Sequence, residues 1–590
     1  MNPAVRVVPD VASFSVDDGF WYSVPEHLAP DIHIGSIVRV PLSGRRVRGW
    51  VVETAADREG KLKDVAGISG SAPVVDPDLL QGLVWTARHY VAPVSTLLSR
   101  ASPPNLPRSI PTGTSPENGR SPDRHPLDDV VTKTVSGLRT PVVAIVGNWR
   151  HLDWLRAVGP VLGSGSSVLV VAASAAEVEQ LGVEAGRIWR DLVVPVTGED
   201  DKSDTTAWES AQSPPRLMIG TPKTSTWQIA KLGLALVLEE GRRAMKDRQT
   251  PTIHVREVMR TRSRLESFNL VFYGPTPSVE VLSAGAEVLH EANRAWPLVE
   301  VVDRSSDMPG AGFLSDRVVS ALGVAARSGA RVFVFTHRRV GFASMRCASC
   351  RALRTCADCG RRLGRVQHCP QCGAEVGPCQ NCGGSEFEEL GTVPERLVAE
   401  INRKVGKGAA AVHPGEAGIT VGTERDLAGL SQVSLAVATD VDGMLLGLSY
   451  RTTEEALRQL ARLALAVRDG SGHRLMVQTA RPDSLLITTL RRGDPIPYLE
   501  RILVDRAREG LPPATEMIAV EIRGEVDPSL GSELKDLSGV SVMGPIDIAD
   551  GRRWLLTGRL GRARLELRPM VGRWRDRGAT VRVDVDPIDL

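Results

Sequence analysis

All eight cysteines of this 590-residue chain lie between Cys347 and Cys382. They form four Cys-x-x-Cys pairs, with 5, 9 and 6 residues between successive pairs: Cys347/Cys350, Cys356/Cys359, Cys369/Cys372 and Cys379/Cys382. Both thiolates of such a turn reach one ion, and two turns complete a tetrahedral four-thiolate site. Eight thiolates in four turns therefore predict two structural zinc ions per chain.

Glycine follows three of these turns, after Cys359, Cys372 and Cys382, where a metal-binding turn often needs a positive φ angle. A disulfide cluster is the alternative, but paired Cys-x-x-Cys spacing favours a metal and nothing else indicates secretion. Spacing alone leaves open whether successive or nested turns share an ion. The cysteines are not expected to be redox-active, because a thiolate saturated by zinc is no longer a free nucleophile.

The composition is that of a globular chain with several domains, at 42% hydrophobic and 24% charged residues. The net charge is only +2, so any contact with DNA needs a local basic patch. The N-terminus, MNPAVRVVPDVASFSVDD, lacks the pattern of a signal peptide. No apolar run reaches the roughly 18 residues of a membrane span, and the confined cysteines fit a reducing compartment. We therefore expect a cytoplasmic protein without a membrane contact.

The sequence of the first 100 residues predicts a small domain of mixed strands and helix. Strands are expected at Val5–Val8, Ser36–Val40 and Val47–Val52, with a turn at Gly44-Arg45-Arg46. Helical spacing over Leu79–Ala92 places four residues on one face: Leu80, Leu83, Val84 and Ala87. The arginines at the hairpin are Arg45, Arg46 and Arg48. They are candidates for phosphate contacts, and a solvated basic turn is the alternative.

Residues 101–138 are rich in Pro, Ser, Gly and Asn, which predicts a flexible linker. Apolar runs then alternate with helical segments, as in parallel sheets covered by helices: PVVAIVG, SVLVVAA, LVVPVTG, RLMIG, LALVLEE, NLVFYG and LVEVVD, then RVFVFTH, ITVGT, LAVATD and LMVQT. The predicted fold class is multidomain α/β. Its units are a lobe at 139–305, a second lobe at 306–342 and 392–482, a zinc-binding module at 343–391 and an α+β domain at 483–590, with helices at 528–537 and 565–579.

The first lobe lacks the residues that handle phosphate. Its first strand is followed by Gly147-Asn148-Trp149-Arg150-His151, without the Gly-Lys-Ser/Thr of a phosphate loop, and Trp149 is bulky where backbone amides would approach phosphate. Glu239 and Glu240 follow the strand that would supply a magnesium ligand, and are interpreted as structural. No nucleophile motif or His pair for metal stands out, so no catalytic residue is predicted.

Several segments, in order, resemble the family of primosomal protein N′ (PriA), the bacterial replication-restart helicases. They are GFWYSVPEHLAPDIHIGSIVRVPLSGRRVRGWVVE, Arg216–Thr221 for "GTRSA", Gly274–Glu280 for "SATPSLE", the eight cysteines, Asp440–Arg451 for "DADxxLxxPDFR" with Glu454 in register, Leu511-Pro512-Pro513 and the terminal VRVDVDP. The resemblance implies an N-terminal β-rich DNA 3′-end-binding domain, two RecA-like helicase lobes with an inserted two-zinc module, and a C-terminal α+β domain. It also implies nested metal pairing, with Cys347, Cys350, Cys379 and Cys382 on one zinc and Cys356, Cys359, Cys369 and Cys372 on the other.

The chain departs from this family at the nucleotide site. GNWRH replaces the phosphate loop, Leu238–Gly241 (LEEG) replaces the acidic "DEEH", and Arg462–Asp469 (RLALAVRD) aligns with "QVAGRAGR". The two arginine positions of that last motif hold Ala466 and Asp469. Because arginines there would contact the γ-phosphate, the three losses imply that ATP is not hydrolysed, and ATP is not expected as a cofactor. The linker is also too short for the family's winged-helix domain.

The family's pocket for a DNA 3′ end is partly retained. Phe20 and Lys63 match it, whereas Trp21 stands at the Asp position and Ser43 at the Gly position. Base stacking or a place in the core are the alternatives for Trp21. With the basic hairpin, the candidate DNA-binding residues are Phe20, Arg45, Arg46, Arg48 and Lys63.

The resemblance implies a replication-restart protein that binds stalled or branched DNA forks and helps assemble the replication machinery without helicase activity. The expected partners are DNA and other primosome or helicase-loading proteins, near the nucleoid. The zinc module carries Arg346, Arg351, Arg354, Arg361, Arg362 and Arg365, which either balance the charge of the thiolates or contact DNA. An active ATP-dependent 3′-5′ helicase with an atypical site is one alternative, and a zinc-stabilised scaffold without a DNA role is the other.

Overall fold

The computed structural model describes residues 3–56, 58, 61–70, 72–105, 125–291, 296–307, 312–337, 345–350, 352–369, 372–389, 393–427, 430, 432–447, 449–468, 470–524, 529–548 and 550–588. The chain divides into two compact units. The first comprises Met1–Ala292, Gly510–Gly544 and Trp554–Pro587, and the second comprises Asn293–Glu509, Pro545–Arg553 and Ile588–Leu590. None of the helices in the described ranges has the length and apolar character that crossing a membrane requires.

The N-terminal part of the first unit is a six-stranded sheet with two helices on one face. Its strands are β1 (Ala4–Pro9), β2 (Phe20–Ser23), β3 (Ile37–Leu42), β4 (Arg45–Ala55), β5 (Lys63–Asp64) and β6 (Gly67–Ser69), in the order β5-β2-β1-β4-β3-β6. Helices α1 (Pro77–His89) and α2 (Val94–Ala101) bury Leu83 and Leu97 against Val8 and Trp50 of the sheet. The predicted strands and helix are confirmed, and Leu80, Leu83 and Ala87 are buried as expected.

The predicted turn at Gly44-Arg45-Arg46 is wrong by one residue. Ser43 and Gly44 form it, with φ angles of 47° and 80°. Two consecutive positive φ angles are those of a tight two-residue hairpin turn. Arg45 and Arg46 therefore lie in strand β4, opposite Leu42 and Pro41 of β3.

A seven-stranded parallel sheet follows. Its strands are β7 (Val143–Val146), β8 (Ser167–Val171), β9 (Val193–Val196), β10 (Leu217–Gly220), β11 (Leu232–Leu238), β12 (Asn269–Gly274) and β13 (Glu287–His290), in the order β13-β7-β12-β11-β8-β10-β9. The helices around it are α3 (Leu127–Val135), α4 (Trp154–Ala157), α5 (Gly159–Gly163), α6 (Ala175–Trp189), α7 (Asp201–Ala211), α8 (Val255–Glu266) and α9 (Val279–Ser283). Strands β7 and β8 are buried along their whole length, which explains their uninterrupted apolar runs.

Helix α3 lies inside the segment predicted as a flexible linker, so that prediction is wrong for Leu127–Val135. Leu127, Val130 and Val131 are buried, with at most 3% of each residue exposed. Their i, i+3, i+4 spacing gives the helix one apolar face, and burial of that face stabilises it. Residues 106–124 of the predicted linker lie outside the described residues.

The second unit contains a parallel sheet with the order β14-β21-β20-β15-β19-β18. Its strands, with the two-stranded ribbon β16-β17 of the cysteine segment, are β14 (Leu298–Asp303), β15 (Val332–Phe335), β16 (Met345–Cys347), β17 (Phe387–Glu389), β18 (Ala410–Ala411), β19 (Ile419–Gly422), β20 (Leu435–Ala438) and β21 (Arg474–Thr479). Its helices are α10 (Asp316–Arg327), α11 (Pro394–Lys404), α12 (Val441–Met444), α13 (Thr452–Leu465), α14 (Leu485–Arg492) and α15 (Ile496–Arg508). The four strands predicted after residue 310 are confirmed.

Strand β14 was predicted to belong to the first lobe, and the structure corrects this. It pairs in parallel with β21, from Leu298 opposite Arg474 to Asp303 opposite Thr479. An apolar run reveals a strand but not the sheet that the strand joins, because pairing depends on distant residues. The edge beside β7 is instead filled by β13, whose exposed Glu287 and His290 hid it from an apolar-run analysis.

The C-terminal segment forms a four-stranded sheet with one helix. Strands β22 (Glu516–Arg523), β23 (Val540–Ile548), β24 (Gly551–Gly558) and β25 (Thr580–Val585) lie in the order β23-β24-β22-β25, and α16 spans Gly561–Asp576. Strands β22 and β25 are antiparallel, as predicted. The helix predicted at 528–537 is only a short 3-10 turn, Ser532–Asp536, which begins after Gly531 in a left-handed conformation.

His89 lies within the first unit, where α1 faces the C-terminal segment. Its ring stacks on Trp85 with centroids 4.7 Å apart, and Nε2 lies 4.0 Å from Asp586. Burial and the nearby guanidinium of Arg564 lower the pKa of His89 to about 4, against the opposing effects of the carboxylates of Glu257 and Glu516. The ring is therefore neutral in the folded protein at neutral pH.

We expect the first unit to lose stability as the pH falls from about 6.5 to about 4. The unfolded chain binds a proton at His89 near pH 6.5, whereas the folded chain binds it only near pH 4. Protonation therefore favours the unfolded chain in this window, by up to about 3 kcal/mol. Urea unfolding across the window should show a smaller pH dependence in His89→Gln than in the parent or in His27→Gln, which changes an exposed histidine. Equal slopes in all three proteins would contradict the assignment.

Candidate functional site

The cysteine module, residues 345–389, repeats one backbone turn four times. In each turn the N–H of the first cysteine donates to the carbonyl five residues later, at 2.8–2.9 Å: Cys347 to Ala352, Cys356 to Arg361, Cys369 to Ala374 and Cys379 to Gly384. The glycines predicted to need positive φ angles have them, at 70° for Gly360, 76° for Gly373 and 72° for Gly383. The turns point both thiols of each pair to one side, as metal-binding turns do.

The eight thiols lie in two groups of four. One group is Cys347, Cys350, Cys379 and Cys382, the other is Cys356, Cys359, Cys369 and Cys372, and the sulfurs of each group lie within 4.8 Å of one another. This is the nested grouping that the resemblance implies. The closest sulfurs between turns are 3.5 Å apart in both groups, for Cys347/Cys382 and Cys350/Cys379 in the first and for Cys356/Cys372 in the second.

The donor set fits a tetrahedral metal ion. Four thiolates at the usual Zn–S distance of about 2.3 Å place their sulfurs about 3.8 Å apart. The observed separations of 3.5 to 4.8 Å bracket that value. All eight cysteines are free thiols in the structure, so no disulfide competes for them.

The two centres sit on little protein core. The second centre packs on Leu363, Ala374 and Val376, and the ribbon β16-β17 closes the first. Arg354 ties the module together, since its Nη1 donates to the Gly364 carbonyl at 2.9 Å and its guanidinium lies 4.5 Å from the centre of the Phe387 ring. Of the other arginines noted in the sequence, Arg361 and Arg365 are exposed, Arg346 and Arg362 are half-buried, and Arg351 lies outside the described residues.

The candidate DNA residues fall in two places on the N-terminal sheet. Phe20 is 40% exposed on β2, and Lys63 on β5 pairs beside it, opposite Tyr22. The Tyr22 hydroxyl donates to the carbonyl of Pro41 on β3 at 3.3 Å, so the sheet curls and brings these strands toward the β3-β4 hairpin. Trp21 is half-buried rather than part of the core, and the guanidinium of Arg58 stacks over its ring, 4.0 Å from the ring centre.

The β3-β4 hairpin carries one more arginine than the sequence analysis identified. Arg39 lies directly opposite Arg48, and Pro41 lies opposite Arg46, so Arg39, Arg46 and Arg48 share one face of the hairpin. We call these three residues the arginine row. Each is exposed, and within the described ranges no carboxylate lies within ion-pair distance of any of them or of Arg45, on the other face.

At the strand ends of the first parallel sheet, residues 147–151, which we call the degenerate phosphate turn, lie beside Glu239 and Glu240. The buried Trp149 indole donates from Nε1 to Oε1 of Glu239 at 2.7 Å. Glu240 accepts from the backbone N–H of Ser278 at 2.7 Å, and burial raises the pKa of its carboxyl. Glu239 thus links the end of β11 to the turn after β7, and Glu240 links it to the segment after β12.

The arginines of the second unit's helix α13 are also engaged internally. Arg458 and Arg462 both donate to Oε1 of Glu424 at 2.8 Å, and Arg458 also pairs with Glu455. Ala466, at one of the two family arginine positions, is buried, and Asp469, at the other, lies outside the described residues. Glu454, in register with the resembling motif, pairs with Arg506 at 2.6 Å.

Comparison with known proteins gives consistent matches. Residues 6–103 match the family described as the PriA 3′DNA-binding domain (3′BD). The replication restart protein PriA of Treponema pallidum is 24% identical over 398 residues, which cover 62% of this chain and 60% of that protein. The chain thus spans less than two thirds of this relative.

Two further relatives align over most of both chains. The probable replication restart protein PriA of Mycobacterium tuberculosis is 24% identical over 91% of this chain and 90% of its own length. The replication restart protein PriA of Chlamydia pneumoniae is 21% identical over 85% of each. A solved structure of the DUF1998 helicase MrfA bound to DNA has a TM-score of 0.38 and 11% identity, covering 76% of this chain and 64% of that one, which is too low to support any conclusion. The N-terminal domain thus matches the PriA 3′DNA-binding domain family, and the chain is similar along most of its length to PriA proteins.

Proposed function

We propose that the protein acts in replication restart as a DNA-binding and assembly factor that does not unwind DNA by ATP hydrolysis. It recognises stalled or branched forks through its N-terminal domain. The names of its relatives and the matched 3′DNA-binding domain support this proposal. The partners we propose beyond DNA are other primosome or helicase-loading proteins, at the nucleoid.

The arginine row carries the proposal. Like charges placed directly opposite across two strands destabilise a sheet, and Arg39 faces Arg48 without a neighbouring carboxylate among the described residues. A phosphodiester backbone supplies the missing negative charge at a spacing that successive guanidinium groups can follow. The row lies inside the segment that matches the DNA-binding family, which makes DNA the anion we infer.

The β2-β5 edge of the same sheet is the proposed place for the 3′ end. Exposed Phe20 offers a ring on which a base can stack, and Lys63 offers a charge for the phosphodiester group nearest the 3′ end. Trp21 and Arg58, stacked on each other, form the neighbouring wall. This arrangement differs from the family pocket, because an aromatic ring stands in place of a carboxylate.

The remaining parts serve as a scaffold in this proposal. The two parallel sheets are RecA-like lobes, and the first lobe ends before β14, because β14 pairs in the second sheet. Each four-cysteine group binds one zinc ion, and the module that they fold is a rigid platform for partner proteins. Zinc at a closed four-thiolate site supplies structure rather than Lewis-acid chemistry, since no coordination position is left open.

We expect the variant Arg39→Ala/Arg46→Ala/Arg48→Ala to bind forked DNA about tenfold or more weakly than the parent, because three phosphate contacts are lost. The slope of log K against log salt should become shallower by about 3. Fluorescence anisotropy with a labelled fork at several salt concentrations measures both. The matched control changes Arg187, Arg501 and Arg508, which are exposed arginines with acidic neighbours on their own helices. That control should leave affinity and slope unchanged.

Different results would favour the other functions. If the triple variant and the control bind alike, the arginine row is not the DNA interface. DNA-stimulated ATP hydrolysis by the parent, lost in Glu239→Gln/Glu240→Gln, would establish an active helicase instead. Fork binding no tighter than duplex binding, without salt dependence, would leave a scaffold with no DNA role.

A further inference from the structure

Glu291 lies at the carboxyl end of the first parallel sheet, beside the degenerate phosphate turn. It follows edge strand β13, whose His290 pairs with Val146 at the end of β7. The Glu291 N–H donates to the Val146 carbonyl at 3.2 Å, which fixes the backbone of Glu291 next to Gly147. In parallel α/β sheets, ligands bind at this end of the strands.

The carboxylate of Glu291 turns over the phosphate turn and accepts its backbone hydrogen bond. The N–H of Asn148 donates to Oε2 at 2.9 Å, and the Tyr273 hydroxyl of β12 donates to Oε1. His125 places Nε2 3.7 Å from Oε1. Burial alone would raise the pKa of Glu291, but these hydrogen bonds outweigh it and hold the pKa below its usual value, so the side chain is an anion.

Gly147 shows how closely the carboxylate sits on the main chain. A Cβ atom at this position would lie 2.3 Å from Cδ and 2.6 Å from Oε1 of Glu291, which is far inside van der Waals contact. Any larger residue here would have to displace the carboxylate from its present position. In nucleotide-binding α/β folds, glycine at the corresponding turn lets phosphate oxygens approach backbone N–H groups. The carboxylate takes the place of such an oxygen.

The other side of the turn is closed by Trp149. Its indole is fixed by the hydrogen bond to Glu239, and its carbonyl accepts from Nε1 of Trp154 at 2.7 Å. The helical turn that follows, Trp149–His151, is only three residues long and has no second turn to align a dipole toward an anion. The Asn148 N–H of this turn is therefore already used by Glu291, and the Arg150 N–H by the Asn148 side chain.

We propose that Glu291 is a resident anion that occupies the phosphate position of the first parallel sheet and excludes nucleoside phosphates from it. This inference rests on the proposed function, because it gives the reason why a PriA relative works without ATP. In this proposal nucleotides are excluded for two reasons: the lysine of the phosphate loop is missing, and the Glu291 carboxylate occupies the phosphate position. Removing the carboxylate converts the turn into a weak site for a phosphate-class anion.

The test compares binding of pyrophosphate and of Mg-ATP to the full chain and three variants by isothermal titration calorimetry. Glu291→Ala should bind pyrophosphate about tenfold or more tightly than the parent, because a like charge in contact with the ligand is gone. Tyr273→Phe, which keeps the ring and removes one donor to Glu291, should give a smaller gain. Glu287→Ala, which removes an exposed carboxylate from the same strand, should match the parent.

Parent protein that binds Mg-ATP at micromolar concentrations would overturn the proposal. The proposal would also be overturned if Glu291→Ala binds pyrophosphate no more tightly than Glu287→Ala does. If Glu291→Ala does not fold, the pyrophosphate affinity of Tyr273→Phe is compared with that of Glu287→Ala instead. Fork binding by the same preparations keeps the two proposals apart. If Glu291→Ala binds forks like the parent but gains no pyrophosphate affinity, only the resident-anion proposal is rejected. If the parent binds forks no more tightly than duplex DNA, only the proposed function is rejected.

Discussion

Replacing Cys356 with serine is expected to remove one of the two metal ions per chain and to unfold the part of the cysteine module around it. Structural zinc contributes an apparent binding free energy of about 10–16 kcal/mol, which is folding free energy when the site does not exist in the unfolded chain. The second centre has few other contacts, since its core is Leu363, Ala374 and Val376 around Cys356 and Cys369. So small a core does not hold a fold alone.

Metal content by plasma mass spectrometry is the first measurement, with two zinc ions expected for the parent and one for Cys356→Ser. Limited proteolysis should then cut the variant between residues 352 and 378, where the parent resists. Ser349→Ala is the matched control, because Ser349 lies in a metal-binding turn, is exposed and is not one of the ligands. It should keep both ions.

A metal content near zero in freshly purified parent protein would reject the two-site assignment. The nested grouping has its own test, since it places Cys356 and Cys372 on the same ion. The variant Cys356→Ser/Cys372→Ser should therefore still bind one ion, because both residues belong to the second group. Sequential grouping would instead place these residues on different ions and remove both.

The metal-binding turns follow from sequence because they are local. Each depends on residues within one turn, and glycine after Cys359 or Cys372 marks the positive φ angle that the turn needs. The grouping of turns is not local. It depends on the ribbon β16-β17, which joins residues far apart in sequence, and spacing alone left both groupings open.

Arg39 shows a residue that sequence reasoning missed although a signal existed. Val38 and Val40 are buried, so alternation along β3 already directs Arg39 to the opposite face. A two-residue turn at Ser43-Gly44 then sets the register that places Arg39 opposite Arg48. Assigning the turn one residue later hid this pair, because a shift in register exchanges the faces of a strand.

Glu291 had no usable signal in the sequence. Its strand, β13, is short and half-exposed, and its meaning comes from pairing with β7, more than a hundred residues earlier. The absent phosphate loop indicated that the site had lost its ligand. Only the structure shows that the Glu291 carboxylate accepts the backbone hydrogen bond of Asn148 in this turn.

The largest expected loss of stability from a single substitution outside the cysteine module is at Lys246. The side chain is 4% exposed, and Nζ donates to Oδ1 of Asp584 at 2.6 Å and to the carbonyls of Val585 and Asp586 at 2.7 Å each. These acceptors end β25, so the lysine ties the C-terminal sheet to the segment after β11 within the first unit. All three ammonium hydrogens have acceptors, which is what a buried charge requires.

Lys246→Met keeps the length of the side chain and removes the charge. It leaves a buried carboxylate, whose remaining partner is Arg582 at 2.9 Å, and two carbonyls without their donor. Breaking a buried ion pair costs about 3–5 kcal/mol of folding free energy when the remaining charge is uncompensated, and we expect the lower end of that range here because Arg582 still pairs with Asp584. Urea unfolding followed by tryptophan fluorescence should show a correspondingly lower midpoint for the first unit.

Lys133→Met provides the comparison, because Lys133 pairs with Asp129 on the surface of α3, where the two side chains are 39% and 68% exposed. Exposed pairs of this kind contribute about 0–1 kcal/mol, so this variant should unfold close to the parent. If Lys246→Met unfolds at the same urea concentration as Lys133→Met, the buried lysine does not hold the C-terminal sheet. A large loss at Lys246 alone would identify this ion pair as a polar tie that holds the C-terminal sheet to the segment after β11 within the first unit.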